Sequence, residues 1–258
     1  MDYVLSVLLF AAFLFLGILL LLEAGRRIGI RRKANEAEGA QAGFGVVDGA
    51  VFGLLGLLIA FTFSGAASRF DTRRQLIVEE TNAIGTAYLR LDLLPTDAQP
   101  ALRENFRRYV DTRLEVYRKL PDIAAVKTEL AKATALQAEI WTQAVTACQR
   151  ASAQSATMLL LPALNQMIDI TTTRTMAAQI HPPMVIFGML GGLALIGALL
   201  AGYGMAGGAT RSWLHMLGFA TVLAVTVYVI LDIEFPRLGL IRVDAFDQAL
   251  IELRQSMK

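Results

Sequence analysis

Four stretches of the chain stay apolar long enough to cross a bilayer: residues 3–22, 46–64, 184–203 and 213–231. Each comes close to the ~20 residues that a hydrocarbon core asks of an α-helix. Tyr3, Tyr203 and Trp213 stand at the ends of these runs, where amphipathic rings prefer the headgroup level. The first run is expected to be a retained helix, since it has no basic lead-in and "LLEAGRR" offers no small-residue cleavage site. Between the second and third runs the pattern changes. Residues 65–183 are rich in Ala, Gln, Glu, Arg and Thr, and apolar positions recur at helical spacing through Leu102, Phe106, Tyr109, Leu114, Tyr117 and Leu120. Pro95, Pro100, Pro121, Pro162 and the pair Pro182–Pro183 are the breakers expected to divide this segment into long helices. Thr96 or Asp97, and then Asp122, are the expected N-caps of the helices that follow the first and third of them. No strand-like alternation occurs. The predicted fold is an all-α membrane protein: four transmembrane helices with a large helical aqueous domain inserted between the second and third. The expected divisions are a first helix pair (1–64), the helical domain continuous with the second transmembrane helix (65–183), a second helix pair (184–231) and a polar C-terminal tail (232–258).

The second run has an unusual exit. "LLIAFTFSGAASRFDTRR" passes from lipid-soluble to charged chain with no proline and only Gly65 to loosen it. Within it and before it, Gly49, Gly53, Gly56, Ala60, Ser64 and Ala67 recur at spacings of three and four. Such a stripe of small residues lets helix backbones approach closely, within one subunit or between subunits. Gly188 and Gly192 repeat the spacing in the third run. Leu57 and Phe61 form an i, i+4 ridge beside the stripe, with the hydroxyls of Thr62 and Ser64 nearby. Around a symmetry axis that ridge would be an apolar constriction, the kind that gates by dewetting; inside one subunit it would be ordinary core. Asp48, at the opposite end of the run, either reaches headgroup water and caps the helix or contributes to a ring of carboxylates at a pore mouth.

Composition narrows the function classes. The chain has 258 residues, 55% hydrophobic and 18% charged, with a mean hydropathy of +0.51; a membrane protein with a sizeable aqueous part combines those values. A net charge of +2 and the lack of a basic–aromatic recognition motif give no case for nucleic acid. The single cysteine, Cys148, excludes an intrachain disulfide. His181 and His215 are far apart and lack metal-site spacing; His181, before "PP", is expected to be interfacial and solvated. "GFGVVDG" opens a membrane helix instead of a phosphate loop. No catalytic constellation is recognisable, so no enzyme and no cofactor are expected. Orientation is undecided: six basic residues flank the spans on the side of the first loop (Arg26, Arg27, Arg31, Arg32, Lys33, Arg211) and six on the other (Arg69, Arg73, Arg74, Arg174, Arg237, Arg242).

The exit of the second run resembles that of bestrophins, in which an apolar helix with a neck phenylalanine continues into the cytosol through a basic–aromatic pair. Here the pair is Arg69–Phe70, followed by Arg73 and Arg74, and "EETNAIGTAYLRLDLLP" behind it resembles the bestrophin-like bacterial membrane proteins. The resemblance implies Phe61, Leu57 and Gly53 as neck positions, the last with less bulk than that family's neck carries. It further implies a homo-oligomer, pentameric in bestrophins, in a bacterial cytoplasmic membrane, with second helices lining a path for inorganic ions. Arg69, Arg73 and Arg74 would mark the exit and pair with acids such as Asp71, Glu79 and Glu80. The alternative is a membrane-anchored helical sensor or scaffold whose insert binds a ligand or partner.

Overall fold

The structure, a computed structural model, describes residues 3–33, 44–150, 154–207 and 211–257. Gly43 of the "GFGVVDG" run lies outside the described residues. Eight α-helices follow in order among the described residues: α1 (Tyr3–Lys33), α2 (Phe44–Leu89), α3 (Gln99–Arg118), α4 (Ile123–Arg150), α5 (Gln154–Gln179), α6 (Met184–Gly204), α7 (Trp213–Glu234) and α8 (Gln248–Ser256). No strand occurs among them, and α1, α2, α6 and α7 contain the stretches long and apolar enough to cross a membrane. The chain divides into two compact units, one formed by Met1–Ser68 with His181–Ile241, the other by Arg69–Ile180 with Arg242–Lys258.

In the first unit the core is a seam of Leu14, Ile18 and Leu22 from α1, Leu190, Ala194 and Ala198 from α6, and Ala220, Leu223, Val227 and Ile230 from α7. Glycine decides how closely α1 and α6 cross. A Cβ placed on Gly25 would stand 2.0 Å from the Leu199 carbonyl oxygen, and one on Gly202 would stand 2.0 Å from that of Leu22. Gly29 is equally enclosed by Ala206 and the Tyr203 carbonyl. Small residues at such crossings supply the close packing that lipid cannot drive. Gly188 and Gly192, which carry the same spacing, have nothing within 4 Å of an added Cβ and take no part in it.

The second unit is a helical bundle around Ile84, Leu91, Leu102, Phe106, Tyr109, Val110, Ile140, Leu160 and Leu164, closed by Leu250 of α8. Two expectations about its punctuation fail. Helix α3 begins at Gln99 with Ala98 in the cap position and no side-chain cap; Thr96 and Asp97 do not cap it, and Asp97 pairs with Arg150 at 3.0 Å. Pro162 lies inside α5 and does not break it. Proline removes the amide donor for the carbonyl four residues back, that of Met158; the Arg90 guanidinium donates to the adjacent carbonyl, Leu159 O, at 2.5 Å. Asp122 does cap α4, accepting the Ala125 amide at 3.0 Å.

At the middle of this bundle sits a charge network. Glu80 and Arg113 are fully buried and 2.5 Å apart, Arg174 donates to the other Glu80 oxygen, and Arg174 also reaches Asp247 at 3.3 Å. The Tyr117 hydroxyl accepts from Arg113 at 2.7 Å, and its ring lies 3.9 Å beneath the Arg174 guanidinium. Burial pushes the Glu80 carboxyl up, but Arg113 and Arg174 more than offset it and hold the carboxyl below its usual range. Arg113 is likewise held charged: burial opposes its charge, while Tyr117 and Glu80 outweigh that and push it up. Beside it Tyr109, mainly through burial, is pushed up to about 12 and shares hydrogen bonds with Thr171 and Gln137.

Candidate functional site

The charge-free part of α2, residues 49–68, is the least covered of the apolar stretches. Only 6% of its most apolar window is buried within the chain, against 17%, 33% and 39% for the other three. Its covered side is formed by Leu55, buried, and Phe52, which lies against Gly197 of α6 and edge-on to Phe219 of α7 with ring centroids 6.3 Å apart. The other side is bare. Gly49, Gly53 and Gly56 have nothing within 4 Å of an added Cβ, Ala60 and Ser64 are exposed, and Leu57 and Phe61 are 52% and 68% exposed. At 3.6 residues per turn these positions share one face: small residues form one half of it, and the Leu57/Phe61 ridge forms the other.

Asp48 and Thr62 fall elsewhere. By helical phase both lie toward the covered side with Leu55, and both are half-buried. Since α2 begins at Phe44 in the described residues, Asp48 sits in the second turn and is not the cap. The Thr62 hydroxyl donates to the Leu58 and Ile59 carbonyls at 2.7 and 3.0 Å, the back-bonding habit of hydroxyls inside helices, so it does not join the open face.

The arginines after the exit are used differently from one another. Arg74 pairs with Asp71 at 3.0 Å and lies over the rings of Phe70 and Phe246, the latter at 4.4 Å. Arg73 is buried and donates to the Ala177 and Ile180 carbonyls at 3.2 and 2.9 Å, closing the C-terminal end of α5, where the last carbonyls have no helical partner. Arg69 is half-buried and engaged. Of the acids expected to pair with them, Asp71 pairs with Arg74; Glu79 accepts from Gln75, and Glu80 belongs to Arg113 and Arg174.

Sequence reading missed a polar cluster in the first unit, at the end of α7. Asp232 is 1% exposed and accepts the Leu240 and Ile241 amides at 2.9 and 2.6 Å. Gly239 is required there, because a Cβ would stand 2.3 Å from the Asp232 carboxylate. Glu234, also buried, meets His181 Nδ1 at 3.0 Å, and the His181 ring stacks on Phe235 with centroids 4.2 Å apart. His181 is therefore paired and partly covered, not solvated as expected. The signal available was "DIEFP", two acids directly after an apolar run. Among the described residues no group of His, Cys, Asp and Glu is arranged to hold a metal ion.

A family model for the Bestrophin-like domain matches residues 9–245. No curated protein sequence matches the chain. Among solved structures, a single-residue variant of a bacterial bestrophin homologue from Klebsiella pneumoniae superposes with a TM-score of 0.68 at 14% identity, over 97% of this chain and 99% of that one. A second variant of the homologue gives 0.65 at 14% identity, over 93% and 98%.

Proposed function

For a chain that belongs to the Bestrophin-like family, we propose that it works as an ion channel of the cell membrane, in which several copies set their second helices around a common axis. The observation that carries this reading is the bare face of α2: a charge-free, lipid-length surface with glycines along one side and Leu57 and Phe61 beside them. Gly49, Gly56 and Ala60 suit close packing of neighbouring copies. Leu57 and Phe61 then form an apolar neck that sheds water when narrow, and Gly53, one turn before Leu57, leaves a wider tier. Of Thr62 and Ser64, Ser64 is the one that stays on that face. Arg69 and Arg74 are the polar residues of the exit; Asp48 and Thr62 have no part in the neck, and Arg73 serves α5. Five copies is the number that resemblance to bestrophins favours.

Current across a planar bilayer under a tenfold salt gradient tests the reading. Discrete currents that increase in Phe61→Ala place the neck on α2, and the sign of the reversal potential assigns cation or anion. Silence from both proteins, with intact oligomers seen by native mass, overturns it.

A further inference from the structure

We infer that the end of α1 forms a binding site for the phosphodiester headgroup of an anionic phospholipid, built by Arg26, Arg27 and Arg211 around Glu23. All four residues belong to the first unit. The apolar run of α1 ends at Leu22, so Arg26 and Arg27 stand about one turn past hydrocarbon depth, at the level of lipid phosphates.

The charges there do not balance. A single carboxylate holds three guanidiniums: Glu23 accepts from Arg27 at 2.7 Å, Arg211 at 2.6 Å and Arg26 at 3.1 Å. The four hydrogen bonds to Glu23 occupy a minority of the donors that three guanidiniums carry. Arg31 and Arg32 follow, both exposed. In sequence, the first loop with its flanks and Arg211 carry six basic residues against four acids, Glu23, Glu36, Glu38 and Asp48. Arginines counted at the other end are engaged in folding instead: Arg73 on carbonyls, Arg74 with Asp71, Arg174 with Glu80 and Arg242 with Asp244.

Geometry favours a lipid headgroup. Arg27 and Arg211 remain 67% and 41% exposed although both reach the same carboxylate oxygen, so each keeps free donors of the planar fork that matches phosphate. The Arg26 and Arg27 backbone is held by the Gly25, Gly29 and Gly202 crossing, which keeps α1 in place on both sides of them. The Arg211 guanidinium lies 5.8 Å from the Trp213 ring, and exposed Trp213 and Leu214 continue the surface toward the hydrocarbon. Phosphate binder, interfacial ring and aliphatic side chain thus follow one another in the order in which a phospholipid presents its parts.

The test uses the full chain in a detergent with neutral headgroups, titrated with phosphatidylglycerol or phosphatidylcholine, with bound lipid counted by native mass spectrometry. Phosphatidylglycerol should be retained over phosphatidylcholine, and less so as salt rises. Arg27→Gln and Arg211→Gln should each weaken its retention about five-fold, the attraction one basic residue supplies near an anionic lipid surface. Glu23→Gln should strengthen it, because the lipid phosphate no longer competes with a carboxylate. Arg150→Gln, which removes an exposed pair in the second unit, should change nothing. Equal retention of the two lipids overturns the inference. So does a shift in the same direction for Glu23→Gln and Arg27→Gln, which marks the cluster as structural only. Displacement of the lipid by millimolar inorganic phosphate assigns the site to a free anion and overturns the lipid assignment.

Discussion

Two sets of glycines in the first unit have the same spacing and opposite surroundings. Gly25 and Gly29, with Gly202 facing them, are closed: backbone oxygens of the partner helix occupy the space a side chain would need. Gly49, Gly53 and Gly56 are open, with nothing within 4 Å of an added Cβ. The charged clusters repeat the contrast. Glu80 and Arg113 are sealed inside the helical bundle, whereas Glu23 holds arginines that remain partly in solvent. Spacing indicates that a face can pack closely; only the partner shows whether the chain packs it by itself. Closed sets carry stability, and open sets are available for contacts with something else.

The sharpest way to break this contrast is Glu80→Gln. It leaves Arg113 and Arg174 buried with one carboxylate fewer, and removing one partner of a buried pair costs about 3–5 kcal/mol. Glu23→Gln removes a comparable number of contacts and should cost at most about 1 kcal/mol, as exposed pairs do. Denaturant unfolding measures both, followed through Trp141 in a Trp213→Phe background for Glu80→Gln and through Trp213 in a Trp141→Phe background for Glu23→Gln. Equal costs would erase the distinction.

Next is Gly202→Val, which forces bulk into the α1–α6 crossing. Overpacking of this kind costs about 1–3 kcal/mol, and here the upper end is expected because the obstacle is the Leu22 backbone. The thermal midpoint in detergent should drop, with Trp213 as reporter.

The pH dependence follows from Glu80. Its folded carboxyl is held below the ordinary value of 4.5, so its contribution is complete above that pH and is lost as the pH falls through the lower folded value. An acid limb in the stability of the wild-type chain that Glu80→Gln lacks is the expected outcome; the same limb in both would assign it to other carboxylates.

Smallest of all should be Gly53→Ala, a gain of no more than about 1 kcal/mol in the unfolding of the protomer from helix propensity, because the added methyl meets nothing. Any loss should appear in oligomer mass or in current. A large loss of protomer stability would show that this face is closed after all.

The spans and the unbroken α2 were legible because lipid imposes length and apolarity on a continuous stretch of chain, and the α2 stripe was legible for the same reason. The closed crossing was not. Gly25 and Gly29 lie in "EAGRRIGIRR", where charges hide the spacing, and their partner is about 170 residues away in sequence. Pro162 read as a breaker because a proline's local penalty is visible in sequence, while the Arg90 donor that serves a neighbouring carbonyl is not. The Glu80 network joins positions 33 and 94 residues apart; no local periodicity marks a charge as buried.

That network also has a consequence for descent. Glu80, Arg113 and Arg174 come from three helices, and a lineage that replaces one of them passes through a protein several kcal/mol poorer before a second change can restore the balance. The three sites should therefore be inherited as a block, kept together or exchanged together for apolar side chains, with mixed combinations scarce among relatives of this chain.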